Sequence, residues 1–224
     1  MTKFSLGSDA AARIVPFAIY MAFIVVADLL ARAGLDPQQL RWLYPVKIIA
    51  VLAALWCYRR RYSELAWRWP GAAATLMAVA TGVVVWYLWI SLHSDWMVIG
   101  TSAGFVPLND GVLDWPLVAW RLAGGALVVP VMEELFWRSF LMRWLASSDF
   151  LAVHPSKVIV AHFVVTVILF GLEHNLWFAG VVAGAAYGAL YLRTGNLWLA
   201  ILAHAVTNGV LGGWILATGN WTYW

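Results

Sequence analysis

Two adjacent carboxylates, Glu133 and Glu134, lie with Arg138 inside the apolar stretch VVPVMEELFWRSF. Ionised side chains in such surroundings are costly and mark a functional site by default. Glu134 and Arg138 stand four apart, so on a helix they share a face and can pair. Glu133 is one residue earlier, turned about 100° away, and Pro130 upstream predicts a kink that frees backbone groups. A structural ion pair explains Glu134 and Arg138 but leaves Glu133 without a partner.

Further along, FGLEHN places Phe170 and His174 four apart, and HAVTN does the same for His204 and Asn208. A lone buried histidine is more often a satisfied hydrogen-bonder than a catalyst. Two of them with an asparagine and an unpaired glutamate form a set with chemical meaning. A buried Glu can take a proton from water, which then attacks a carbonyl, with an imidazole beside it to hold or share that proton. A His and an Asn one turn apart can donate to the oxyanion that forms. Glu133, His174 and His204 are equally a zinc-ligand set, and composition does not choose between the two, although the helical His-Glu-x-x-His zinc motif is absent. His162, one turn before Thr166, reads as a structural hydrogen-bonder.

These residues must be positioned by membrane helices. Of the 224 residues, 63% are hydrophobic and 11% charged, against about 25% charged in soluble domains, and mean hydropathy is +0.80. A crossing takes roughly 20 apolar residues. On that measure the apolar segments are 13–32, 44–58, 72–92, 117–145, 158–174, 177–192 and 197–217. The expected fold is therefore all-α, a polytopic transmembrane bundle of about seven helices, or eight. It forms a single domain over 1–224, with the motif-bearing half at 117–217. The first segment is long and holds Asp28, so it reads as retained rather than as a cleaved signal. Cys57 is the only cysteine, which excludes an internal disulfide. The net charge of +3 is too small to suggest nucleic acid. The 16 Trp fit interfacial anchoring. Gly180, Ala183, Gly184, Ala185, Ala186 and Gly188 suit close helix packing.

Lys and Arg set the expected orientation. Arg59, Arg60, Arg61 and Arg68 lie between the second and third segments, and the loop between the third and fourth has neither Lys nor Arg. Arg138, Arg143 and Arg193 agree with a cytoplasmic N-terminus and an external C-terminus, whereas Arg32, Arg41 and Lys47 dissent. Counting 1.5 Å per residue puts Glu133 and His204 about 10–15 Å from the cytoplasmic ends, and His174 nearer the outer face. For these groups to meet, the fifth segment must start later than residue 158, tilt or break.

The ordered set Glu-Glu-x-x-x-Arg (133–138), Phe-x-x-x-His (170–174) and His-x-x-x-Asn (204–208), each in its own apolar segment, resembles the CPBP intramembrane proteases, which include the CAAX prenyl endopeptidases and bacterial proteins of bacteriocin self-immunity. LYLRTGNLWLAILAHAVTN adds to the likeness, and EELFWRSFLMRWL looks most like a bacterial CAAX protease-related subgroup associated with exosortase sorting systems. The resemblance covers roughly the C-terminal half. It implies an intramembrane endopeptidase of the bacterial inner membrane that cleaves a membrane-embedded or lipidated peptide with glutamate-activated water. By motif position Glu133 would be the base with His174 beside it, His204 and Asn208 the oxyanion site, and Glu134, Arg138 and Phe170 the support, with no metal. A non-proteolytic membrane scaffold is the alternative function. A proton-coupled transporter is a weaker one, because polar groups elsewhere in the apolar segments are few.

Overall fold

The computed structural model describes residues 7–102 and 104–224. Among them are seven long helices: α1 (Ser8–Arg32), α2 (Leu43–Tyr58), α3 (Ala72–Ser91), α4 (Trp115–Trp144), α5 (Val160–Leu172), α6 (Trp177–Thr194) and α7 (Leu197–Thr218). Among the described residues strand structure is confined to the two-residue strands Leu108–Asn109 and Val112–Leu113, joined through Asp110 and Gly111. Both turn residues have positive φ, 50° and 80°, as a tight two-residue hairpin turn requires.

α1, α4, α7, α3 and the α2 region (Gln38–Arg61) are long and apolar enough to cross a membrane, and the chain is an integral membrane protein. α5 is not long enough. Its 13 residues span about 20 Å, short of the roughly 30 Å hydrocarbon core. The fifth apolar segment thus starts at Val160, later than residue 158, and its helix stops at Leu172. A tie between Asn175 and Ile99, Ile99 N to Asn175 O at 2.8 Å and Asn175 Nδ2 to Ile99 O at 3.0 Å, holds the chain after α5.

Small residues bring the motif helices together. A Cβ on Gly82 of α3 would collide with the Ala203 carbonyl and Val206 of α7. One on Gly171 of α5 would collide with Val181 of α6, and one on Gly184 would stand 3.1 Å from the Phe170 ring. Helix association in lipid depends on such close approach, because burial of apolar surface drives little there.

α4 is not α-helical throughout, which the kink expected at Pro130 did not indicate. It is α-helical over Trp115–Ala123, Val129–Glu134 and Met142–Trp144, and π-helical over Gly124–Val128 and Leu135–Leu141. Wide turns of this kind reset which side chains face the bundle interior and gather at functional sites.

One end of the bundle is locked by polar groups. Arg13 of α1 is fully buried and bonds Glu64, which precedes α3, through two nitrogens. Arg143 donates to Glu64 at 3.2 Å, and the Ser139 hydroxyl donates to it as well. Burial works to raise the Glu64 pKa, but the hydrogen bonds and charge of Arg13, with Ser139, outweigh it and hold the carboxyl below its ordinary value. A depressed carboxylate pKa gives stability that is complete above the unfolded value, about 4.3, and is lost as pH falls through the folded one. Glu64→Gln is expected to lower the unfolding temperature at neutral pH and to flatten its fall in acid. A variant with the parent's melting profile across that pH range would show that the lock contributes no stability.

Candidate active site

Glu134 is fully buried, and its Oε1 accepts from Arg138 Nη1 and from His204 Nδ1, each at 3.0 Å. Arg138 also donates to the Gly184 carbonyl at 3.3 Å, and its guanidinium lies 4.3 Å from the centre of the Phe170 ring. The pair expected from i,i+4 spacing is present, and it does more than brace one helix. It ties α4 to α5, α6 and α7. A buried ion pair holds only when such further bonds offset the desolvation of both charges.

Glu133 lines a cavity of about 180 Å³ that Glu134 and Arg138 do not reach. The cavity is also lined by His174, His204, Asn208, Phe170 and Tyr187, and on the α1, α2 and early α4 side by Tyr20, Tyr44 and Arg121. All four residues expected to act in catalysis therefore share one cavity. Glu133 is 4% exposed. Its Oε2 has no hydrogen bond among the described residues, and the nearest imidazole nitrogen in a charge-pair sense is His204 Nε2 at 4.0 Å.

The partners of the imidazoles assign their tautomers. His174 Nδ1 sits 2.8 Å from the Phe170 carbonyl, which only accepts, so Nδ1 carries the hydrogen. His204 Nδ1 donates to Glu134, a carboxylate already held by Arg138. In the neutral form each ring then presents an Nε2 lone pair. His204 is further fixed by Tyr187, stacked on it at 4.9 Å between ring centres and anchored through its hydroxyl to Thr207 Oγ1 at 2.7 Å. Trp89 meets the His174 ring edge-on at 5.2 Å. Asn208 Nδ2 donates to the Gly125 carbonyl, in the first π-helical stretch of α4, at 2.8 Å. One N–H of the Asn208 amide thus remains for a ligand.

Tyr187 and Thr207 line the cavity and were not singled out by motif reading, and Glu173 lies next to it. Glu173 accepts from Trp137 Nε1 at 3.1 Å and directly precedes His174. Thr207 follows His204 by three residues, on the same face of α7, a spacing that marks it once His204 is suspected. His162 does not join the site; its carbonyl accepts from Thr166 Oγ1 at 2.8 Å. Among the described residues no three His, Cys, Asp or Glu side chains come together as a metal-holding group. The zinc set of Glu133, His174 and His204 thus receives no donor geometry here.

Residues 115–210 match a family model described as type II CAAX prenyl endopeptidase Rce1-like. The match spans a little under half of the chain and includes each motif residue from Glu133 to Asn208. No curated protein and no solved structure matches the chain.

Glu134→Gln removes a carboxylate that two buried groups share. Stranding one partner of a buried pair costs about 3–5 kcal/mol. The expected outcome is a large loss of thermal stability in detergent, greater than for Glu133→Gln. Equal melting temperatures for the two variants would show that Arg138 and His204 do not depend on Glu134.

Proposed function

We infer that this chain is an intramembrane endopeptidase in which Glu133 activates water against a peptide carbonyl. The observation that carries the reading is the Glu133 carboxylate itself. It is buried in the cavity wall with its Oε2 unbonded, while the neighbouring acid Glu134 is held through Oε1 by both Arg138 and His204 and keeps only its own Oε2 unbonded. The two adjacent acids are thereby divided, one for structure and one for chemistry. The family-model match over residues 115–210 supports the same class of activity.

In this mechanism Glu133 accepts a proton from water, and the oxygen attacks the scissile carbonyl carbon. The proton then passes to the departing amine, so the carboxylate is regenerated. His174, whose Nε2 is free to accept, orients that water or takes a share of its proton. The tetrahedral oxyanion receives the second N–H of Asn208. His204 donates to it from Nε2 only as imidazolium; as a neutral ring it accepts there. No step requires a metal. On the orientation that the Arg residues favour, with the N-terminus cytoplasmic in a bacterial inner membrane, the Arg121, Tyr223 and Trp224 end of the cavity faces outward. The resemblance of residues 133–145 makes an exosortase sorting system the setting in which substrates are to be sought.

Glu133→Gln is expected to abolish cleavage of membrane peptides by the purified protein while leaving it folded; cleavage at the parent rate would remove Glu133 from the mechanism. Asn208→Ala is expected to lower kcat by about 10²–10³ with little change in KM, the usual cost of one oxyanion donor. A rise in KM at constant kcat would reassign Asn208 to substrate contact. Dialysis against a strong chelator should leave activity intact. Activity that is lost and then restored by added zinc would replace the glutamate mechanism with a metal one.

A further inference from the structure

Beside the catalytic cavity lies a second one of about 330 Å³, and the two share Tyr44, Arg121 and Trp224 as walls. Arg41, Lys47 and Arg121 all line the second cavity, among Phe23, Ile24, Leu43 and Phe105. Arg41 is occupied: it donates to Gln38 Oε1 and the Leu108 carbonyl and stands 3.9 Å from Asp114. Lys47 and Arg121 are not. Among the described residues neither has a carboxylate within 4.0 Å. Both rest instead on aromatic faces. Lys47 Nζ is 3.9 Å from the Tyr20 ring centre and 5.0 Å from that of Tyr44; Arg121 lies 4.5 Å from Tyr44 and 5.4 Å from Phe105. Lys47 is only 9% exposed. Two cations flanking one tyrosine in a membrane helix bundle repel each other, and cation–π contact offsets only part of the cost. An anion between them would offset the rest.

Arg121 and Glu133 line the same cavity of about 180 Å³, Arg121 from the start of α4 and Glu133 from its middle. We propose that Lys47 and Arg121 form a carboxylate subsite of the peptidase cavity, which selects apolar peptides carrying a carboxylate at a fixed spacing from the cleaved bond. The carboxylate is an Asp or Glu side chain or a chain terminus; both present the same two oxygens to the cations. The site is built by α2 and early α4, and Lys47 lies outside the stretch that the family model matches. This placement rests on the peptidase reading, because Glu133 marks the scissile bond.

The test measures binding without requiring cleavage. Parent protein in phosphatidylcholine nanodiscs is titrated with fluorescent Ala-Leu peptides in three forms. One carries a single Asp with an amidated end, one a free carboxy-terminus and no Asp, and one Asn with an amidated end. The first two are expected to bind at least about tenfold more tightly than the third. Lys47→Gln combined with Arg121→Gln should bring all three together at the affinity of the neutral peptide. Lys47→Arg with Arg121→Lys should restore the preference. Equal binding of the three peptides by the parent overturns the proposal, and that comparison needs no variant to fold. So does a preference that survives in the Gln variant, which would leave the cations a packing role on Tyr44. If phosphatidylglycerol nanodiscs erase the preference in the parent, a lipid phosphate is the occupant and the peptide proposal fails. A parent that prefers carboxylate peptides yet never cuts them would instead sink the peptidase reading and leave the subsite standing. Where cutting occurs, mass spectrometry should place the cut at one spacing from the Asp when the Asp is moved along the peptide.

Discussion

The Glu134 carboxylate, shared at 3.0 Å by Arg138 and His204, is the interaction on which the rest of the site depends. Arg138 is 1% exposed. A guanidinium that deep is tolerable only with a charged partner and further acceptors, and Glu134, the Gly184 carbonyl and the Phe170 ring supply them. Those contacts pull four helices onto one point. They also set the His204 ring, with Nδ1 given to Glu134 and Nε2 left for the cavity. Because one acid absorbs this work, its neighbour Glu133 is released to face the cavity with an unbonded oxygen.

The geometry around this bond follows from local departures from regular structure. Two π-helical stretches bracket Glu133 and Glu134 in α4, and Asn208 takes the Gly125 carbonyl in the first of them. α5 ends after 13 residues, so His174 stands within the bundle rather than at its rim. Gly82, Gly171 and Gly184 let α3, α5, α6 and α7 approach closely enough for short polar side chains to meet. Each is a case of backbone shape chosen to place a side chain, and none brings a favourable term of its own.

The cavity is also asymmetric. Its deep wall is made by the motif helices, and the wall towards Arg121 by α1, α2 and the start of α4. The motif half thus supplies Glu133, His174, His204 and Asn208 to the cavity, and the N-terminal helices supply charge and shape on the facing wall. A division of this kind allows substrate preference to change without disturbing the Glu134 cluster.

Hydrophobic runs of about 20 residues and periodic polar insertions lie on the surface of the sequence, because a bilayer imposes them directly. That is why the seven helices, the Glu134–Arg138 pair and the distinction between Glu133 and Glu134 were legible from residue types and spacing alone. Glycines in α6 were likewise readable as packing positions. The joining of Glu134 to His204 was not, since 70 residues separate them and no helical period links two different helices. Nor were the π-helical turns of α4, which Pro130 suggested only as a kink, or the early end of α5, which hydropathy does not register. Tyr187 over His204, and Lys47 and Arg121 across Tyr44, are contacts between helices far apart in sequence. Sequence determined which side chains must be buried at a cost; the tertiary packing decided which partners meet them, and so which acid is bound and which is free.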